Sequence, residues 1–103
     1  MGISMGAIAT LDMVYRFPDT FAKAVSICGA TNIERMREFK GKTKFRFYHG
    51  DIDDVIPVTY SREAYEALKS TGKKVEYIEF YGANHNAWHP AFNTKDFLEW
   101  SFR

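Results

Sequence analysis

Three short extended runs, separated by helical segments, limit what this chain can fold into more than any other feature. Residues 23–28 hold Ala24, Val25 and Ile27 ahead of Gly29, and residues 45–49 are aromatic-rich and stop at Gly50. Residues 75–81 form the third run. The intervening segments carry helical spacing. Ile8, Leu11 and Tyr15 share a face over residues 5–15, and Pro18 ends that run. Asn32 is placed to cap a short helix reaching Phe39. Pro57 suits the first position of a helix whose Val58, Ser61, Tyr65 and Leu68 share one face, and Gly72 is a natural stop. A last helix is expected from Lys95 to Phe102, carrying Phe97, Leu98 and Trp100. Strands alternating with helices imply parallel pairing through right-handed crossovers. The expected class is α/β, with about three parallel strands and helices on both sheet faces. Lys44 to Tyr48 alternates in polarity, whereas a doubly covered parallel strand is nearly all apolar. Glu76 and Glu79 soften the last run in the same way, which places it at an edge.

Composition removes several classes. At 103 residues the chain is one domain at most, and 46% hydrophobic with 26% charged residues describes a packed chain rather than a disordered one. A formal net charge of +1 provides no field to gather nucleic acid or an acidic membrane surface. The basic stretch Arg35, Arg37, Lys40, Lys42, Lys44 and Arg46 is broken by Glu34 and Glu38 and reads as a solvated face. No segment approaches the roughly 20 apolar residues of a membrane-spanning helix. Cys28 is the only cysteine, so there is no intramolecular disulfide and too little sulfur for a cysteine-rich zinc site. Cys28 itself reads as a small buried hydrophobe. Met1-Gly2-Ile3-Ser4 lacks the basic start and apolar run of a signal peptide, and the compartment stays open.

The chemistry lies in the turns after the extended runs. Gly2-Ile3-Ser4-Met5-Gly6 has the form of a nucleophile elbow and runs straight into a helical pattern. In such a turn a serine is held in a strained conformation, and a Cβ at Gly2 or Gly6 is expected to collide. The competing reading is a helix start with Ser4 as its cap. The second run leads into His49-Gly50-Asp51-Ile52-Asp53-Asp54-Val55-Ile56-Pro57, and the third into Tyr81-Gly82-Ala83-Asn84-His85. Asp51-x-Asp53 is not a calcium loop, because the later Asp/Asn-Gly and the distant Glu are missing. Parallel strands deliver all such turns to one sheet edge.

These segments resemble the C-terminal half of an α/β-hydrolase. The elbow, the His-Gly-x-x-Asp-x-x-(Val/Ile)-Pro segment and the Gly-x-x-His loop occur in the family's chain order of Ser, Asp and His. Phe17-Pro18-Asp19-Thr20-Phe21-Ala22, and His85-Asn86-Ala87-Trp88-His89-Pro90-Ala91-Phe92, are similar to segments of bacterial esterases related to prolyl oligopeptidases. The resemblance implies a serine hydrolase of carboxylic esters, dienelactone-hydrolase-like in fold, working through an acyl-enzyme without a cofactor or metal. Ser4 is the implied nucleophile, His85 the base, Asp53 the acid, and the Met5 backbone N–H an oxyanion donor. Asp51 and Asp54 are decoys, His49 and His89 structural, and Trp88 a weak candidate for lining a substrate pocket.

Family members carry about half a domain before the elbow, including the strand that feeds it and the loop holding a second oxyanion donor. The chain is therefore expected to be a single partial domain, 1–103, with Ser4 less firmly placed than Asp53 and His85 and with weak hydrolysis. The edge from Ala24 to Cys28 is then expected to lie open and to mediate a homo-oligomer. The alternative to the enzyme is a non-catalytic fragment that folds and self-associates through the uncovered surface. The expected partner is a small-molecule ester, not nucleic acid or a membrane, and relatives of this kind are often secreted or periplasmic.

Overall fold

A computed structural model describes residues 2–85, 90, 91 and 97. The strands β1 (Gly2–Ile3), β2 (Lys23–Ile27), β3 (Lys44–Gly50) and β4 (Val75–Phe80) form one parallel sheet in the order β1-β2-β3-β4. The helices α1 (Met5–Arg16), α2 (Ile33–Glu38) and α3 (Thr59–Ser70) lie between them in sequence. The expected α/β class holds, and among the described residues β4 sits at an edge.

Strand period decides which side chains meet which layer. Ala24, Phe45 and Phe47 face the helices and pack with Leu11, Val14, Met36, Phe39, Ala64, Ala67 and Leu68. Phe39 meets Phe45 edge-on at 5.2 Å. Val25, Ile27 and Tyr48 point to the opposite face, against the helical residues Ala91 and Phe97. The helices α1 to α3 thus cover one face, and the helical residues Ala91 and Phe97 lie against the other; most of the expected helix from Lys95 to Phe102 lies outside the described residues. Three of the charges in the strands, Arg46, Glu76 and Glu79, have partners. Buried Arg46 donates to Glu76 at 2.8 Å, and Arg62 of α3 grips Glu79 through two hydrogen bonds, holding that carboxyl down at about 2.

Helix ends follow local chemistry. The Asn32 side chain accepts from the N–H groups of Glu34 and Arg35, so the cap expected there is made. At the end of α3, Gly72 N–H and Lys73 N–H return to the Lys69 and Leu68 carbonyls, a Schellman closure. Pro57 lies two residues ahead of α3, its carbonyl accepting from Tyr60 N–H in a tighter lead-in turn.

Four details differ from the sequence expectations. The sheet has a fourth strand, because Gly2 and Ile3 pair with Ser26 and Ile27; two residues are too few to display a period. The edge from Ala24 to Cys28 is consequently not open along its length: β1 occupies the part nearest the turns, and Val25 and Ile27 are buried. On α1 the buried stripe is Ala7, Leu11 and Val14, and Ile8 is exposed. Finally, the close approach within the elbow is one-sided. A Cβ on Gly2 would strike the Gly6 carbonyl and the Ala7 nitrogen, whereas one on Gly6 would enter open space.

That asymmetry separates the two glycines experimentally. Gly6→Ala should raise unfolding free energy by roughly 0.5–1 kcal/mol through helix propensity. Gly2→Ala should lower it by about 1–3 kcal/mol or more, since backbone must move. Urea denaturation followed by circular dichroism reads both.

Candidate active site

Ser4 joins β1 to α1 at φ 56° and ψ −117°, a backbone conformation that L residues avoid. Such strain costs on the order of 1–3 kcal/mol and persists only where surroundings enforce it. Here Ser4 N–H donates to the Ile27 carbonyl at 2.8 Å, and the Ser4 carbonyl accepts from Ala7 and Ile8. Ser4 stands at the N-cap of α1, yet its side chain makes no capping bond. Its hydroxyl points instead to His85 Nε2, 2.7 Å away. The capping alternative therefore fails.

His85 continues the chain. Its Nδ1 lies 2.7 Å from Asp53 Oδ2, and the carboxylate can only accept, so Nδ1 carries the proton. Nε2 is then the lone-pair nitrogen, and the Ser4 hydroxyl donates to it. The other Asp53 oxygen accepts from the N–H groups of Val55 and Ile56, each at 2.9 Å. Burial alone would raise the Asp53 pKa. Hydrogen bonds from His85, Ile56 and Val55 outweigh it and hold the carboxyl below its ordinary value.

Sequence reasoning left His49 as a structural residue, and the structure gives it specific work. Fully buried, its Nε2 lies 2.8 Å from the Ile56 carbonyl and 3.2 Å from Asp53 Oδ2. The carbonyl can only accept, which assigns the proton to Nε2 and leaves Nδ1 to accept from the Ser61 hydroxyl at 2.7 Å. Burial drives the His49 pKa down, which favours the neutral ring. The loop carrying Asp53 is thereby fastened to α3.

The two decoy aspartates fasten it to the histidine loop. Asp51 Oδ1 accepts from Gly82 N–H at 2.7 Å, and Asp54 N–H donates to Asn84 Oδ1 at 3.0 Å. Ile52 N–H reaches the Ala83 carbonyl at 3.1 Å. Gly50 is required at this seam, because a Cβ there would strike the Ala83 carbonyl. Neither Asn84 nor these roles of Asp51 and Asp54 were visible in sequence. Their signal is only their position in two turns leaving adjacent strands.

The structure thus brings Ser4, Asp53 and His85 together. Met5 is the first residue of α1, where an N–H has no acceptor behind it in the helix. Trp88 lies outside the described residues. Ser4 is held more firmly than the sequence implies, since β1 and the bond to Ile27 anchor the side of the turn expected to be loose. Cys28 is buried as expected, and it also has polar company. Its thiol, the Asp53 carboxylate and a His85 ring nitrogen all lie within 4.8 Å of one another, so a histidine does stand beside it.

A thermostable esterase matches with a TM-score of 0.90 at 30% identity, over 98% of this chain and 29% of that one. Esterase PE8 matches with a TM-score of 0.76 at 25% identity, over 97% of this chain and 45% of its own. A ferulic acid esterase from the anaerobic fungus Anaeromyces mucronatus shares the fold, with a TM-score of 0.74 at 24% identity over 88% of this chain and 39% of that one. No curated protein sequence matches. The sheet, its helices and these likenesses define an α/β-hydrolase fold. The chain belongs to the phospholipase/carboxylesterase family, whose model matches residues 1–101. It spans less than half the length of the esterases it resembles.

Neutral, buried His49 makes a pH prediction. Its folded pKa lies below the ordinary 6.5, so the unfolded chain binds the proton more readily. Folding stability should therefore fall as pH drops below about 6.5. His49→Gln should flatten that part of the profile, read as urea midpoints between pH 7 and pH 5.

Proposed function

We propose that this chain carries the catalytic half of a carboxylic ester hydrolase, with Ser4 as nucleophile, His85 as general base and Asp53 as the acid. The observation that carries this reading is the unbroken chain from Ser4 Oγ through His85 to Asp53, built on a strained serine that spends no bond on its helix. Family membership and the esterases among the structural relatives favour an ester over a peptide substrate.

The geometry supports the following sequence. His85 Nε2 takes the hydroxyl proton as Ser4 Oγ attacks the ester carbonyl. Negative charge develops on the carbonyl oxygen beside the Met5 N–H and the N-terminus of α1. Collapse expels the alcohol, protonated by His85, and leaves the acyl group on Ser4. His85 next deprotonates a water, whose attack releases the acid and restores Ser4. Asp53 fixes the His85 tautomer and stabilises the imidazolium in both halves. His49, Ser61 and the N–H groups of Val55 and Ile56 keep Asp53 in place.

A fluorophosphonate probe tests the reading, because it reacts only with an activated serine. Labelling is expected at Ser4 and should vanish in Ser4→Ala. Asp53→Asn should slow it on the order of 10³–10⁴-fold by losing the correct tautomer. A folded chain that resists the probe overturns the proposal.

Self-association is proposed as well, one strand further out than the Ala24–Cys28 edge. Among the described residues β1 has no outer neighbour, and exposed Met5, Ile8, Met13 and Phe17 stand on or just beyond the adjoining α1. A second copy related by a two-fold axis would cover both. Light scattering should give a dimer at micromolar concentration, and a monomer there sinks the idea.

A further inference from the structure

We propose that Cys28, His85 and Asp53 form a binding site for a thiophilic divalent cation, zinc above all, and that its occupancy switches the proposed hydrolase off. The site stands on geometry alone, whereas the switching rests on the hydrolase reading above.

Cys28 is the first residue beyond β2, at the sheet edge from which the Ser4, Asp53 and His85 turns also emerge. Its N–H is pinned to the Tyr48 carbonyl at 2.8 Å, and its φ of 56° is one of only two positive values on non-glycine residues among those described. The other belongs to Ser4. A left-handed cysteine costs roughly 1–2 kcal/mol, and here the turn directs the thiol to the buried carboxylate and the imidazole.

The three donors lie within 4.8 Å of one another, and both Cys28 and Asp53 are buried. Zinc bound tetrahedrally by sulfur, nitrogen and oxygen needs donor separations of about 3.3–3.6 Å. Any donor pair that is too wide closes by at most roughly 1.5 Å, whereas His85 Nδ1 and Asp53 Oδ2, 2.7 Å apart, must part slightly to admit the ion. His85, half-buried on a turn, is the ligand able to shift. Thiolate, imidazole and carboxylate suit zinc, not calcium or magnesium, which take oxygen donors. The fourth position is left to water.

Binding releases the thiol proton to solvent, and the imidazole stays neutral. Asp53 stands on the Nδ1 side of the ring, so Nδ1 takes the ion. The ring's single N–H then moves to Nε2, which faces Ser4 as a donor and cannot accept its proton. The serine thereby loses its base.

Cobalt(II) supplies a readout independent of catalysis, because a cysteine ligand gives a thiolate-to-cobalt charge-transfer band in the near ultraviolet. The metal-free full chain should bind one equivalent and show the band. Cys28→Ala should lose the band and weaken zinc binding, measured against a chromophoric chelator, by at least about 10-fold. Cys28→Ser serves as a second replacement of nearly the same size, with the same expectation. Zinc should block fluorophosphonate labelling of the native chain, reversibly by chelator, and should not block it in either variant. Absence of the band, or unchanged zinc affinity in a folded Cys28 variant, overturns the site. Zinc binding with undiminished labelling overturns the switch. A chain that never labels even when metal-free fails the hydrolase reading alone, and the cobalt band still decides the site.

Discussion

The parallel direction of the four strands is the constraint from which the rest follows. Because β1 to β4 all run the same way, each ends at the same edge, and the turns carrying Ser4, Cys28, Asp53 and His85 emerge side by side. Residues 81 positions apart in sequence, Ser4 and His85, are thereby brought to 2.7 Å. The pairing is secured from the middle. β3 lies between β2 and β4, with Phe45 and Phe47 in the helix-side core and Tyr48 in the opposite one. Its final residues, His49 and Gly50, then open the loop carrying Asp53. Packing of a central strand and placement of a carboxylate are here one event.

Around that frame, polar bonds do what apolar packing cannot. Hydrophobic contact is non-directional, whereas a proton relay needs atoms at hydrogen-bond distance with defined donors. Asp53 receives two backbone N–H groups on one oxygen and His85 on the other, so it has little freedom to turn. His49 closes the arrangement from beneath, and its buried neutral ring adds no second charge beside the carboxylate.

The parts of this structure readable from sequence were those governed by short-range rules. Strand runs before glycines, the Asn32 cap and the stop at Gly72 each reflect chemistry within a few residues. That Ser4, Asp53 and His85 would meet was readable because glycine, proline and these residue types recur at fixed offsets in the resembled family. What escaped depends on long-range geometry. A two-residue strand has no period, and the outward side of Gly6 is set by how α1 leaves the elbow. Asn84 holds Asp54 across a 30-residue separation, and Cys28 meets His85 across 57 positions of chain. Such pairs exist only once the sheet has formed.

The seam between the Asp53 and His85 loops has a dynamic consequence. Bonds from Gly82 to Asp51, from Asp54 to Asn84 and from Ile52 to Ala83 cross from one loop to the other. None can break alone without straining the others, so the two loops open as one cooperative unit. Amide hydrogens of Ile52, Asp54 and Gly82 will therefore exchange with solvent deuterium at a common rate. The Ser4 amide, bound to Ile27 of the neighbouring β2 and outside this seam, will follow a clock of its own. Asp53 and His85 thus breathe together, while Ser4 keeps separate time.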